Sequence, residues 1–411
     1  MQDKSHSSNA QSRYRMSSLK LNSLLEITKA INNNTSTADL LATYQDVLKE
    51  KLNIGKLVLY GYENQWTCLL KYGVDDEHTQ INVERDLLWI NEINVVDFNE
   101  KNPVHHSFEI VIPVFHKQQP LAYVLIGDID DDRVEVSPVI KHLPFVQTLT
   151  NIIVVAIENK KLYKESIQKA ALRKELELAS QMQHMLFPES LPDNEQTSFD
   201  ALYLPHQEVG GDYYDFIWLN RNEFAFCMAD VSGKGVAAAL LMSNFQANLR
   251  VLLNYTNSLS ELVRELNAKV MSNAKGEKFI TFFIAKYNIQ TRILTYVNAG
   301  HNPPILLNGK STLMLRAGCT GLGMFDELVK VKEGILPISE NSLILCYTDG
   351  VVEVENEEEE SYGSDRLMAD IKQAKKLDVN QINQNILFNI INFKGSKPYT
   401  DDIALFCGKI R

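Results

Sequence analysis

The chain has 411 residues, 45% hydrophobic and 23% charged, an ordinary folded-protein composition and too long for one typical core. Its formal net charge of −11 argues against nucleic acid as the main partner, because binding a phosphate backbone needs a basic footprint. Five cysteines scattered singly argue against a disulfide scaffold or a zinc site. The polar N-terminus shows no signal peptide, and the longest apolar run, 152–157, is too short to span a bilayer, so a cytoplasmic protein with no membrane span is expected.

Taken in chain order, residues 1–17 are rich in Ser, Gln and Asn and read as a disordered tail. Leu21, Leu24, Leu25, Ile27, Ala30 and Ile31 then recur at helical spacing, as do Leu40, Leu41, Tyr44, Val47, Leu48 and Leu52. Four runs rich in β-branched, aromatic or aliphatic residues follow at 56–60, 66–70, 108–112 and 121–126, and a helix is predicted from about Pro144 to Lys161. His105 and His106, in the long middle loop, read as a solvated polar pair rather than as ligands. Residues 158–187 are charged and nearly free of breakers. Leu172, Leu176, Ala179 and Leu186 trace a coiled-coil seam interrupted by Gln183, and a single helix packed on its own domain fits equally well.

The remaining half alternates strands and helices. Strands are predicted at 199–204, 223–229, 343–346 and 403–406, a helix at 236–253, and a hairpin from 279–287 and 293–297. Asn308-Gly309 marks a further tight turn.

Four aspartates stand out in this half: Asp212 after Gly210-Gly211, Asp230 in Asp-Val-Ser-Gly-Lys-Gly235, Asp349 before Gly350, and Asp401 beside Asp402. Hard divalent cations want oxygen ligands, so carboxylates gathered at one rim of a sheet suit metal-assisted phosphate hydrolysis. Singly, each aspartate is as readily a turn former or helix cap. The loop Ser232-Gly-Lys-Gly235 is not a nucleotide phosphate loop, since Met228 stands at the required upstream glycine and Gly235 at the required Ser or Thr. Asp215 reads as a structural acceptor, and His301 as a turn-stabilising residue before a catalytic acid. The acidic run Glu357–Glu360 reads as a solvated loop.

In this order, and with Asn298-Ala-Gly-His-Asn-Pro-Pro304, Gly321-Leu-Gly323 and Tyr362-Gly363, the motifs resemble the SpoIIE/RsbU branch of the metal-dependent (PPM, 2C-like) protein phosphatases, over roughly residues 170–411. The order of elements upstream is similar to GAF sensor domains. The resemblance implies an α+β chain: a GAF-like α/β domain at 18–160, a helical linker at 161–190, and an α/β/β/α phosphatase sandwich at 191–411. It implies two divalent cations, Mn²⁺ or Mg²⁺. Asp230 would bridge them, Asp212 and the Val231 carbonyl would complete one, and Asp349 and Asp401 the other. The choice of Asp401 over Asp402 rests on motif position alone. Asp230 and Asp349 are the catalytic residues of that reading, and Lys234 either touches the substrate phosphate or positions the next helix. The implied partners are a phosphorylated protein, in particular a STAS-domain anti-sigma-factor antagonist, a small-molecule or protein signal at the sensor, and a second copy paired through the linker. The competing class is a catalytically weak or inactive binding module that acts by capturing a partner.

Overall fold

Alternation of apolar residues pairs the first strand-like runs into one antiparallel sheet. The computed structural model describes residues 3–74, 81–95, 108–127 and 138–411. His105 and His106 lie outside them. Its N-terminal elements are α1 (Asp3–Asn32), α2 (Thr37–Asp46) running into a π-helical turn (Val47–Lys51), β1 (Lys56–Glu63), β2 (Gln65–Tyr72), α3 (Val83–Asp86), β3 (Asn94–Val95), β4 (Ile110–His116), β5 (Gln119–Gly127) and α4 (Pro138–His184). The strands order as β2-β1-β5-β4-β3. The two-residue period sends Leu57, Leu59, Ile112, Val124 and Ile126 to one face, where Ile27, Leu40, Tyr44, Val146, Leu149 and Ile153 cover them. Val58, Tyr60, Val111, Tyr123 and Leu125 face the other way, against Val83, Leu87 and Ile90.

Two expectations change here. Residues 3–17 belong to α1 rather than to a disordered tail: no Pro or Gly interrupts residues 3–32, and Ser and Asn cost a helix only a few tenths of a kcal/mol each, roughly. The helix at 144–161 and the linker are one continuous helix, α4, which carries Pro144 near its start and no later breaker.

The chain divides into two compact units, Met1–Lys169 and Ala170–Arg411. The second contains β6 (Thr197–Leu204), β7 (Tyr213–Asn220), β8 (Glu223–Val231), α5 (Val236–Leu252), α6 (Leu259–Ala274), β9 (Ile280–Asn288), β10 (Ile293–Ala299), β11 (Ile305–Asn308), β12 (Ser311–Met314), β13 (Gly318–Cys319), β14 (Gly334–Pro337), β15 (Ser342–Tyr347), α7 (Asp349–Val352), α8 (Gly363–Ala374), α9 (Val379–Lys394) and β16 (Ile403–Ile410). One sheet orders β13-β10-β9-β8-β7 with β14 also on β10, the other β12-β11-β15-β16-β6. Phe199, Phe224, Phe226, Phe283 and Phe406 fill the space between them, each worth about 2–3 kcal/mol of burial. Met242, Phe245, Leu262 and Leu266 of α5 and α6 cover the first sheet. Leu367, Ile371, Ile382 and Ile386 of α8 and α9 cover the second. The unit is therefore the α/β/β/α sandwich of an α+β chain. Cys227, Cys346 and Cys407 are buried and free. Among the described residues no helix is long and apolar enough to cross a membrane.

Candidate active site

The same alternation that builds the sandwich aims two acids into its rim. On β8, Phe224, Phe226 and Met228 face the second sheet, while Ala225, Cys227, Ala229 and Val231 face α5 and α6. Asp230 continues the inward series, and it lies within the strand, opposite Thr281 of β9, rather than in a turn. Asp212 shares the parity of Tyr214 and Phe216, the inward residues of β7. Across the gap, Asp349 opens α7 directly after β15, and Asp401 precedes β16. Four acids distant in sequence thus arrive at one end of the two sheets.

Their electrostatics are those of a site short of positive charge. Burial holds the Asp212 carboxyl well above the usual carboxylate range, and the charges of Asp230 and Asp402 add to it, partly offset by the Thr348 hydroxyl. Asp230 is pushed up to about 7, by burial first and then by Asp349 and Asp401. Asp349 is raised by burial, Glu353 and Asp401. Oδ2 of Asp212 is buried without a hydrogen-bond partner, an arrangement that costs free energy unless something cationic or protonated meets it.

Asp401 and Asp402 differ sharply. Asp402 is buried and accepts the backbone N–H of His206 at 2.7 Å, the N–H of Gly211 at 2.9 Å and the Tyr203 hydroxyl at 3.2 Å. It holds the loops together. Asp401 sits nearer solvent, 2.8 Å from the Lys234 ammonium, which also donates to the Thr400 carbonyl. Lys234 is therefore paired with Asp401 at the rim.

Gly210 owes its identity to close approach: a Cβ there would lie 1.8 Å from the Tyr203 hydroxyl and 2.2 Å from Asp402 Oδ2. Gly350 is similar, a Cβ there falling 1.9 Å from the Asp402 carbonyl. Gly211 lies against the carbonyl of Val231, the backbone oxygen assigned to a cation. Ser232 pins the following loop to Phe279 through both backbone and hydroxyl, each at 2.9 Å, and Lys278 donates to the Ser232 carbonyl at 2.8 Å.

Two neighbours are structural. Asp215 takes Arg250 through both carboxylate oxygens, at 2.8 and 3.0 Å, together with the Tyr213 hydroxyl. His301 has its backbone N–H on Asn298 Oδ1 and its Nδ1 2.8 Å from the Thr281 hydroxyl. Burial pushes its pKa down to about 3, so it is neutral and braces its turn. Sequence reasoning does not single out Thr348 or Arg250, whose partners Ala404 and Asp215 are remote in the chain.

Among the described residues no three acidic, histidine or cysteine side chains form a closed cage. A Mg²⁺-type ion does not require one, since it keeps several waters and leans on one or two carboxylates. The hard-oxygen donors and the orphaned Asp212 oxygen fit such an ion, with Asp212, Asp230, Asp349, Asp401 and the Val231 carbonyl as the residues that would hold it.

The sandwich is the PP2C-type phosphatase fold. It is similar to the SiaA-PP2C domain of Pseudomonas aeruginosa, with a TM-score of 0.54 and 18% identity over 59% of this chain and 99% of that domain. Residues 220–411 match the Stage II sporulation protein E (SpoIIE) family. Protein IcfG of Synechocystis sp. is 26% identical over 335 residues, covering 72% of this chain and 52% of that protein. Phosphoserine phosphatase RsbU of Bacillus subtilis is 29% identical over 187 residues, covering 45% of this chain and 56% of that protein. The chain thus spans about half the length of these curated relatives. Its C-terminal unit thus has the PP2C-type fold, and most of that unit matches the SpoIIE family model.

Proposed function

We propose that the chain is a metal-dependent phosphoserine/phosphothreonine protein phosphatase regulated by its N-terminal unit. The observation that carries this reading is the convergence of buried, mutually repelling Asp212 and Asp230 with Asp349 and Asp401 at one rim. In it, Asp212, Asp230 and the Val231 carbonyl hold one divalent cation, Mn²⁺ or Mg²⁺, and Asp230, Asp349 and Asp401 hold a second. Two such cations supply charge neutralisation and an activated water for attack on a phosphate monoester. Asp402 and Thr348 keep the surrounding backbone in place, Thr348 by accepting the Ala404 N–H at 3.0 Å. Lys234 balances Asp401 and offers an ammonium to an incoming phosphate.

Similarity to RsbU, named a phosphoserine phosphatase, supports a phosphorylated protein as substrate. We assign it to partner switching in the cytoplasm, with a phosphorylated STAS-domain antagonist as target. The N-terminal sheet is read as a GAF-like sensor for a small-molecule or protein signal. Leu162, Ile167, Leu172, Leu178 and Met182 are exposed along α4, apolar surface that supports pairing of two copies.

The test is hydrolysis of p-nitrophenyl phosphate and a phosphoserine peptide by the full chain with Mn²⁺, Mg²⁺ or EDTA. Activity is expected only with a cation, lowered on the order of 10²–10³-fold in Asp230→Asn and Asp349→Asn, the scale for removing one electrostatic stabiliser from an active site. A folded wild type inactive under every condition would favour the binding-module alternative.

A further inference from the structure

The end of β8 leaves one backbone oxygen outside the sheet. In an antiparallel ladder, alternate residues exchange N–H and C=O bonds with one neighbouring strand and turn away from it. Toward β9 the exchanging residue is Ser232, whose N–H donates to the Phe279 carbonyl at 2.9 Å. A trans peptide points its C=O opposite to its N–H, so the Val231 carbonyl, in the same peptide, faces β7. The register of β7 and β8 sets Tyr213 against Ala229, and continuing it by two residues sets Gly211 against Val231. A Cβ built on Gly211 would lie 2.9 Å from the Val231 carbonyl, as that placement requires. The Gly211 N–H is therefore the donor that this carbonyl would ordinarily receive.

That donor is engaged elsewhere. It goes to Asp402 Oδ2 at 2.9 Å, while Asp402 Oδ1 takes the His206 N–H at 2.7 Å. On the β9 side the Ile280 N–H goes to the Leu322 carbonyl at 2.8 Å. Neither flanking segment thus offers its N–H to Val231, which is buried. A buried carbonyl without a donor is as costly as the orphaned Oδ2 of Asp212, one residue beyond Gly211. A hard cation is a partner that suits both oxygens.

We infer that Asp402 is a positioning residue: by capturing the Gly211 N–H it leaves the last β7–β8 rung unmade and the Val231 carbonyl free for a cation. The inference rests on the metal-centre reading above and names the side chain that supplies its backbone ligand. The two adjacent acids then divide the work, Asp401 as a ligand and Asp402 as the group that keeps another ligand out of the sheet.

The experiment is Mn²⁺ titration of the full chain, following loss of the free-ion electron paramagnetic resonance signal, with melting temperatures measured in EDTA. Asp402→Ala releases the Gly211 N–H to close onto the Val231 carbonyl. Asp402→Asn keeps one acceptor oxygen and can hold the Gly211 or the His206 N–H, not both. Tyr203→Phe removes a different hydrogen bond from Asp402 and leaves the Gly211 contact intact. Mn²⁺ binding is expected to weaken about 10-fold in Asp402→Ala, the scale for losing a group that orients a ligand. Asp402→Asn should fall between it and wild type, and Tyr203→Phe should match wild type. A merely structural Asp402 would lower the melting temperature and leave the Mn²⁺ affinity of the folded protein alone. Wild-type affinity in both Asp402 variants would overturn the inference, and Asp402→Asn decides by itself if Asp402→Ala does not fold. A wild type that takes up no Mn²⁺, or no more than Asp230→Asn does, would instead remove the metal reading and this inference with it.

Discussion

Both units bury aspartates, and they treat them in opposite ways. In the N-terminal unit Asp86 has Arg85 Nε at 2.7 Å and accepts the Asn82 N–H at 3.0 Å, so its charge is matched and its oxygens are used. Asp215 in the C-terminal unit follows the same rule with Arg250. Asp212 and Asp230 do not. Their pKa values are raised by burial and by other carboxylates, and the lysine at the rim pairs with Asp401 instead. A buried carboxylate with a guanidinium is a finished structural element, whereas buried carboxylates facing one another store unfavourable energy that only protons or cations relieve.

That contrast can be broken or sharpened by substitution. Arg250→Ala strands the buried Asp215 carboxylate without its half-exposed guanidinium and is expected to cost about 2 kcal/mol in urea unfolding, the usual scale for leaving a buried polar group unsatisfied. Mn²⁺ affinity should be unaffected. A cost no larger than that of a surface pair would place Asp215 in the same class as the rim acids.

A smaller effect of opposite sign is expected at the rim. Folded Asp230 titrates at about 7 against 3.8 for an ordinary aspartate. Without cations the folded protein therefore holds a proton that the unfolded chain has released, and stability from this group falls as pH rises from about 4 to about 7. In EDTA at pH 8, Asp230→Asn should melt above wild type, and the gap should shrink toward pH 5. Added Mn²⁺ should reverse the order, because it stabilises only the protein that binds it. A variant less stable than wild type in EDTA at every pH would mean that Asp230 is satisfied within the fold.

Much of this was legible in the chain. The four aspartate motifs name the rim acids directly, because their chemistry is written in residue type. The strand alternation that forms the phenylalanine-filled interior is equally visible around Phe224, Phe226 and Phe406. The parity of β8 alone would have turned Asp230 inward. What stayed hidden depends on distant partners. Gln183 looks like a flaw in a heptad seam until Gly210, 27 residues on, is found against it. Asp401 and Asp402 are indistinguishable until Gly211 and His206 claim the latter, across 191 and 196 residues. The need for glycine at 210 and 350 is likewise invisible locally, because the missing Cβ makes room for Tyr203 and Asp402, which are remote in the chain. Local pattern reports which face a residue takes, and only the assembled sheets report what waits there.

The most direct test of the central claim is a crystal structure of the full chain with Mn²⁺, read by anomalous scattering. The expected result is manganese density bounded by Asp212, Asp230 and the Val231 carbonyl, and by Asp349 and Asp401, with Asp402 still on Gly211 and His206. No anomalous density at the rim, with Lys234 unmoved on Asp401 and Asp212 oxygen still unpartnered, would contradict it.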